Sequence, residues 1–155
     1  MKSAQPQACG RPRLVRRWYH QAALSILILT TLVVGTKVAH AASVQQVTSF
    51  GSNPGGLQMY KYLPDNLGSN PPLVVALHGC TQSASTYDNE PGWLEIADRF
   101  GFALVLPQTT QSNSCFRWFE SGHYQRGYGE PLSIKQMIDQ MDTDHGIDLS
   151  RVFVT

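Results

Sequence analysis

The sequence has no acidic residue in its first 41 positions, although it contains 155 residues and 11 Asp and Glu in total. The same stretch carries six Lys and Arg, whereas residues 42–155 carry six basic and 11 acidic residues, a net charge of −5. A break this sharp indicates two segments with different roles. The acidic balance of the second segment argues against a nucleic-acid partner, because binding to phosphates requires a net basic face.

The sequence also lacks internal repeats and has few cysteines. No repeat with a period of about 20–50 residues occurs, which excludes a solenoid or a propeller. The three cysteines, Cys9, Cys80 and Cys115, match neither a redox CxxC nor a zinc ribbon, and no histidine pair completes a ligand set. We therefore expect no metal and no cofactor. The hydrophobic fraction of 42% excludes a disordered chain.

Residues 1–41 have the order of a signal peptide. A basic region at Arg11–Arg17 precedes the apolar run Ala22–Val34, and Ala39–Ala41 is a small-x-small cleavage site. The run is short for a membrane-spanning helix, which needs about 20 apolar residues. We expect cleavage after Ala41, a secreted or periplasmic location, and no stable membrane association afterwards. The alternative is an uncleaved N-terminal membrane helix.

Export would leave Cys80 and Cys115 together in an oxidising compartment, where disulfides form and persist. The sequence leaves two alternatives open for this pair, a disulfide and two free buried thiols. A distance between their Cα atoms above about 7 Å would exclude the bridge.

Residues 42–155 follow a strand–helix order typical of an α/β protein. Apolar runs predict central strands, and helical spacing followed by glycine predicts two helices. Alternation around the GSNPGG turn predicts an N-terminal hairpin. This order predicts a mostly parallel sheet with helices on both faces and an antiparallel hairpin at its edge. The predicted elements are strands Val44–Phe50, Leu57–Leu63, Leu73–Leu77, Phe102–Leu106 and Arg151–Thr155, and helices Trp93–Phe100 and Pro131–His145.

The segment after the first central strand is the first candidate for function, because sites in such sheets gather at the carboxyl ends of strands. His78, Gly79 and Cys80 stand there. Glycine allows a tight turn that aims the next backbone N–H into a cavity, as an enzyme that stabilises an oxyanion requires. We expect His78 to support the turn through a hydrogen bond rather than to act as a base. The alternative is an ordinary turn with a buried thiol.

The long loop Pro107–Gly129 is the second candidate. It could present a substrate platform around Trp118, or its own aromatic side chains, together with a Cys115 bridge, could hold it in place, and we favour the second interpretation. His123 and His145 are expected at the surface. The aromatic residues of the loop are Phe116, Trp118, Phe119, Tyr124 and Tyr128.

Three stretches together resemble a family of secreted esterases that includes extracellular polyhydroxybutyrate depolymerases and feruloyl and acetylxylan esterases. They are PLVVALHGCTQSASTYDNEPGWLEIADRFGFALVLPQ, SCFRWFE, and the helix leading into HGIDLSRVFVT. The resemblance covers roughly Leu57 to Thr155. It implies an α/β-hydrolase fold, a serine carboxylesterase activity, and a polyester or a feruloyl or acetyl ester as substrate.

The resemblance also assigns roles to residues. It implies that the Cys80 amide is an oxyanion-hole donor, supported by His78 and Gly79. In that family the strand RVxVT runs into a Gly-x-Ser-x-Gly nucleophile elbow, and no such motif occurs in these 155 residues. We therefore expect an N-terminal part of an esterase, truncated before the elbow, without catalytic residues and inactive alone. The alternative is a secreted non-catalytic binding protein, or a degenerate relative, that uses the Trp118 loop.

Overall fold

The computed structural model describes residues 42–155, in which one five-stranded sheet is combined with three helices. The predicted signal peptide, residues 1–41, and its Cys9 lie outside the described residues. No helix from residue 42 onward is long and apolar enough to cross a membrane. The elements in chain order are β1 (Gln45–Val47), β2 (Gln58–Tyr62), β3 (Leu73–Val75), α1 (Ala84–Tyr87), α2 (Trp93–Phe100), β4 (Ala103–Gln108), α3 (Gly129–His145) and β5 (Val152–Val154).

The sheet has the strand order β1-β2-β4-β3-β5 and is mixed. β1 and β2 form the predicted antiparallel hairpin at one edge. β2 then pairs antiparallel with β4, so that Tyr60 faces Leu106. β3 lies between β4 and β5 and pairs with both in parallel, with Val74 beside Leu104 on one side and Phe153 on the other. The sequence analysis predicted the parallel half of the sheet and the hairpin. It did not predict that β2 is the strand of the hairpin that pairs with β4.

β4 extends two residues beyond its predicted end and includes Pro107. Proline lacks a backbone N–H and interrupts a strand that is paired on both sides. It is accommodated because the last β3–β4 pair is Val75 with Val105, so β4 has only β2 as a neighbour at Pro107.

Both predicted helices end where the glycines indicated. Gly101 after α2 and Gly146 after α3 have φ values of 67° and 61°, the left-handed conformation that glycine adopts without a Cβ clash. α1 was not predicted because four residues are too short to show a helical period. A capping box in which Ser83 and Thr86 bond each other's backbone N–H begins it.

The core lies on both faces of the sheet, because successive residues of β4 point to opposite sides. Ala103 and Val105 pack towards α3, where Met137 and Met141 are fully buried. Leu104 and Leu106 pack on the other face, together with the buried residues Tyr62, Ala76, Ala84, Ala97 and Phe102. Each helix of the predicted pattern therefore covers one face.

His145 lies at the end of α3 and is half-buried, so it is only partly exposed at its predicted surface position. Its Nε2 is 2.9 Å from the Nζ of Lys61 on β2. Burial, and secondly the positive charge of Lys61, lower the pKa of His145. The neutral ring can therefore accept a hydrogen bond from the lysine.

Candidate active site

A tight turn follows β3 at the carboxyl edge of the sheet. The Gly79 N–H donates to Oε1 of Gln82 at 2.7 Å, and the Gln82 N–H donates back to the Gly79 carbonyl at 3.2 Å. A Cβ atom at Gly79 would lie 2.9 Å from the same Oε1. A side chain at position 79 would therefore have to displace the end of the Gln82 side chain, and with it the hydrogen bond to the residue 79 N–H.

The next residues of the turn are Cys80 and Thr81. Thr81 has a φ of 66°, a left-handed conformation that is costly for a β-branched residue. It is held there by a hydrogen bond from its N–H to the Asn113 carbonyl at 3.3 Å. The exposed Cys80 donates no backbone hydrogen bond to any atom of residues 42–155. An acceptor that approaches this turn can therefore bind the Cys80 amide without displacing a contact.

Cys80 and Cys115 are joined in a disulfide, with Cα atoms 4.2 Å apart and a sequence separation of 35 positions. The bridge connects the turn after β3 to the loop after β4. Because the neighbouring strands end at the same edge, it ties together the two segments on which the sequence analysis placed function.

His78 precedes the turn and is only 3% exposed. Its Nδ1 lies 2.8 Å from the Gly79 carbonyl, and Nδ1 is the donor because a carbonyl oxygen can only accept. The ring contacts Phe116 with a centroid distance of 4.8 Å, and its Nε2 has no hydrogen-bond partner among the described residues. The two contacts of the ring, with the Gly79 carbonyl and with Phe116, agree with a supporting role for His78 in the turn. That role stays a prediction.

The loop after β4, residues 109–128, does not bury its aromatic side chains in the manner that the sequence analysis favoured. Phe116 is half-buried against His78. Trp118 is 68% exposed and meets Phe119 edge to face. Phe116 packs against the core, whereas the exposed aromatic side chains do not pin the loop. The exposed aromatic residues are Trp118, Phe119, Tyr124 and Tyr128.

Polar contacts hold the loop instead. The backbone N–H of Arg117 donates to Oε2 of Glu130 at 2.7 Å. The Nη2 of the Arg117 side chain donates to the Gly55 carbonyl at 2.8 Å. The Nε of Arg117 and Oε1 of Glu130 lie 3.6 Å apart, and the Glu130 side chain is only 4% exposed. The Gly55 N–H donates to Ser133 Oγ at 2.7 Å. Loop, hairpin turn and the first turn of α3 thus form one polar network.

Sequence reasoning missed this network. The GSNPGG stretch was interpreted only as a turn, yet a Cβ at Gly55 would come within 2.6 Å of Glu130 Cα. A glutamate in the first turn of a helix is common and gives no sign of burial. The available signal was an arginine inside an aromatic loop, since a buried carboxylate requires such a partner.

A cleft of about 380 Å³ opens between the end of β3 and the loop. His123 lies in its wall and is half-buried, so it is only partly exposed at its predicted surface position. Within residues 42–155 no three His, Cys, Asp or Glu side chains come together as a possible metal site. The lining residues are Leu77, Phe116, Trp118, His123, Tyr124, Glu130, Pro131 and Ile134.

The family model described as Esterase PHB depolymerase matches residues 57–155. The chain belongs to this esterase family. It is 46% identical over 134 residues to poly(3-hydroxyalkanoate) depolymerase C of Paucimonas lemoignei, covering 84% of this chain and 32% of that protein. It is 37% identical over 131 residues to feruloyl esterase B of Talaromyces funiculosus, covering 84% of this chain and 36% of that protein.

Solved structures show the same partial fold. The acetyl xylan esterase from Aspergillus awamori matches with a TM-score of 0.65 and 35% identity, over 72% of this chain and 41% of that one. The LpqC depolymerase from Bordetella parapertussis matches with a TM-score of 0.51 at 18% identity, which bears on the fold alone. The predicted partial α/β-hydrolase fold is confirmed. The chain spans about a third of the length of the curated relatives it matches.

Proposed function

We propose that this chain is the N-terminal part of a secreted serine carboxylesterase that acts on polyhydroxyalkanoate or on plant cell-wall feruloyl or acetyl esters. The observation that carries the proposal is the Cys80 amide, which stands at the carboxyl end of β3 without an acceptor among residues 42–155. The family membership and the names of the relatives support the ester class.

In this proposal the chain contributes one half of an oxyanion hole. A serine activated by a histidine attacks the ester carbonyl, and the carbonyl oxygen gains a negative charge that backbone N–H groups stabilise. The Cys80 amide is one such donor, and Gly79, His78 and the disulfide hold it in place. The nucleophile, acid and base come from other residues, because no Gly-x-Ser-x-Gly occurs in the sequence.

The 155-residue chain alone is therefore expected to be inactive, since an oxyanion donor without a nucleophile forms no acyl-enzyme. The test compares hydrolysis of p-nitrophenyl butyrate by this chain and by the same chain extended through its downstream reading frame. We expect background turnover for the first, and turnover blocked by a serine-directed phosphonate for the second.

Two results would contradict the proposal. The first is a downstream reading frame that encodes no Gly-x-Ser-x-Gly. The second is turnover by the 155-residue chain that survives the phosphonate and repurification and disappears in Cys80→Ser, because a thiol nucleophile would then be implied.

A second candidate function is non-catalytic binding through the Trp118 loop. The exposure of four aromatic side chains on one loop favours it, because exposed aromatic patches mark binding surfaces. In that case the chain adsorbs to polyhydroxybutyrate or xylan particles, and Trp118→Ala abolishes the adsorption.

A further inference from the structure

The segment from Gly79 to Ala84 leaves a single backbone donor free among its contacts with residues 42–155. Every N–H group of this segment except that of Cys80 donates a hydrogen bond. The acceptors are Gln82 Oε1 for Gly79, the Asn113 carbonyl for Thr81, the Gly79 carbonyl for Gln82, Thr86 Oγ1 for Ser83 and Gln108 Oε1 for Ala84. The turn therefore offers an approaching acceptor one amide, and a side chain decides which one.

Gln82 makes that choice between two neighbouring amides. Gly79 and Cys80 are both exposed, so the N–H of either could meet a ligand. The side-chain oxygen of Gln82 occupies the Gly79 N–H at 2.7 Å, whereas no atom of residues 42–155 occupies the Cys80 N–H. Without the Gln82 side chain, the Gly79 N–H would be a second free donor.

The backbone of Gln82 fixes the direction of the remaining donor. Its N–H donates to the Gly79 carbonyl at 3.2 Å, which closes a β-turn over residues 79–82. His78 Nδ1 donates to the same carbonyl at 2.8 Å. The Gly79 carbonyl and the Cys80 N–H belong to one planar peptide unit and point in opposite directions, because no peptide bond here is cis. Two donors on the carbonyl therefore hold the Cys80 N–H on the other side of the turn.

Gln82 is itself held from behind. It directly precedes Ser83, the N-cap of α1. The Ala84 N–H at the start of α1 donates to Gln108 Oε1 at 2.7 Å, and Gln108 Nε2 donates to the Thr109 carbonyl at 2.7 Å. The end of β4 thus anchors the start of α1, and with it the residue that closes the turn.

The residue type at position 82 also suits an oxyanion. A carboxylate could accept the Gly79 N–H equally well, but its negative charge beside the turn would oppose the charge that develops on the substrate oxygen. The amide of glutamine supplies the same acceptor oxygen without a charge.

We propose that Gln82 is a positioning residue of the oxyanion hole. Its side-chain oxygen withdraws the Gly79 N–H, and its backbone N–H orients the peptide between Gly79 and Cys80, so that the Cys80 amide alone meets the ester oxygen. This step rests on the proposed function, since Gln82 acts on the reaction only through Cys80.

The first test measures amide hydrogen exchange in the 155-residue chain by ¹H–¹⁵N NMR. We expect the Gly79 amide to exchange more slowly than the Cys80 amide. Gln82→Met keeps the length of the side chain but offers only a weak thioether acceptor, and should accelerate the exchange of Gly79 about tenfold. Gln82→Glu keeps an oxygen acceptor and should restore the protection. The matched control is Gln45→Met, the same change at an exposed glutamine of β1.

The second test measures p-nitrophenyl butyrate hydrolysis in the chain extended through its downstream reading frame. Gln82→Met should lower kcat about tenfold and leave KM within about twofold, because the oxyanion forms only in the transition state. Expressing kcat per serine titrated by the phosphonate separates this effect from a loss of folded protein.

The proposal is overturned if Gly79 exchanges as fast as Cys80 in the unchanged chain, or if Gln82→Met lowers kcat no more than Gln45→Met does. An unchanged extended chain without esterase activity refutes the proposed function, and the catalytic role of Gln82 with it. Slow exchange of Gly79 that is lost in Gln82→Met would then still show that Gln82 holds the turn, so the two failures are distinguishable.

Discussion

β3 and β4 end at the same edge of the sheet, yet the segments that follow them are held by contacts of different range. The turn at residues 78–82 is fixed by short-range hydrogen bonds around Gly79. The loop at residues 109–128 is fixed by the long-range contacts of Arg117 with Glu130 and Gly55, while most of its aromatic side chains face solvent. The disulfide joins the two. Polar contacts can thus order a long loop and leave its apolar side chains available for binding.

The largest effect should come from the contact that holds the loop. Glu130→Ala leaves Arg117 without its buried partner and should cost about 3–5 kcal/mol of unfolding free energy. Glu120→Ala is the matched control, because Glu120 also pairs with Arg117, at 4.0 Å, but is 46% exposed. Such a pair contributes about 0–1 kcal/mol. Urea unfolding of both variants measures the difference, and equal losses would show that the loop does not depend on the buried contact.

Removing the link between the two segments should have the next largest effect. The double variant Cys80→Ser, Cys115→Ser should lose about 2–4 kcal/mol of unfolding free energy, because the unfolded chain is no longer constrained. In the form that begins at Ala42, thiol titration without reductant should find no free thiol. Two titratable thiols in that form would contradict the bridge, and the stability of the double variant would then match that of the unchanged chain.

The smallest effect separates two aromatic residues of the same loop. Phe116→Ala removes a half-buried ring that contacts His78 and should cost about 1–2 kcal/mol. Trp118→Ala should change the unfolding free energy by less than about 0.5 kcal/mol, since that ring is exposed. Thermal and urea unfolding measure both. If the Trp118 variant loses as much as the Phe116 variant, the loop is packed through its tryptophan and the contrast between the two segments fails.

Much of the fold could be predicted from local patterns. The helix at residues 93–100 matches its predicted bounds, and α3 begins two residues before its predicted start at Pro131. The spacing of Met137 and Met141 identified the buried face of α3. The turn at Gly79 could be predicted because a glycine after an apolar strand has few other uses. These features depend on neighbours in sequence, so the sequence displays them directly.

The partners of Arg117 and the burial of Asp88 could not be predicted in the same way. Arg117 meets Gly55, 62 residues away, and Glu130 is buried only because the hairpin turn and the loop both cover it. Asp88 stands in a stretch of polar residues that suggests a surface loop, yet the hairpin and α1 enclose it. Charged residues have the same appearance in a sequence whether they are solvated or buried.

The sequence by itself determined the order of the strands and of the two longer helices, the glycine caps, the turn that carries the Cys80 amide and the esterase family. Periodicity, glycine chemistry and motif spacing act over a few residues, so they are visible in one dimension. Only the tertiary structure decided that β2 joins the hairpin to β4, that Arg117 and Glu130 hold the loop, and that Asp88 is buried. Those features depend on which surfaces pack together when the chain folds. Burial and desolvation arise only once these surfaces are in contact.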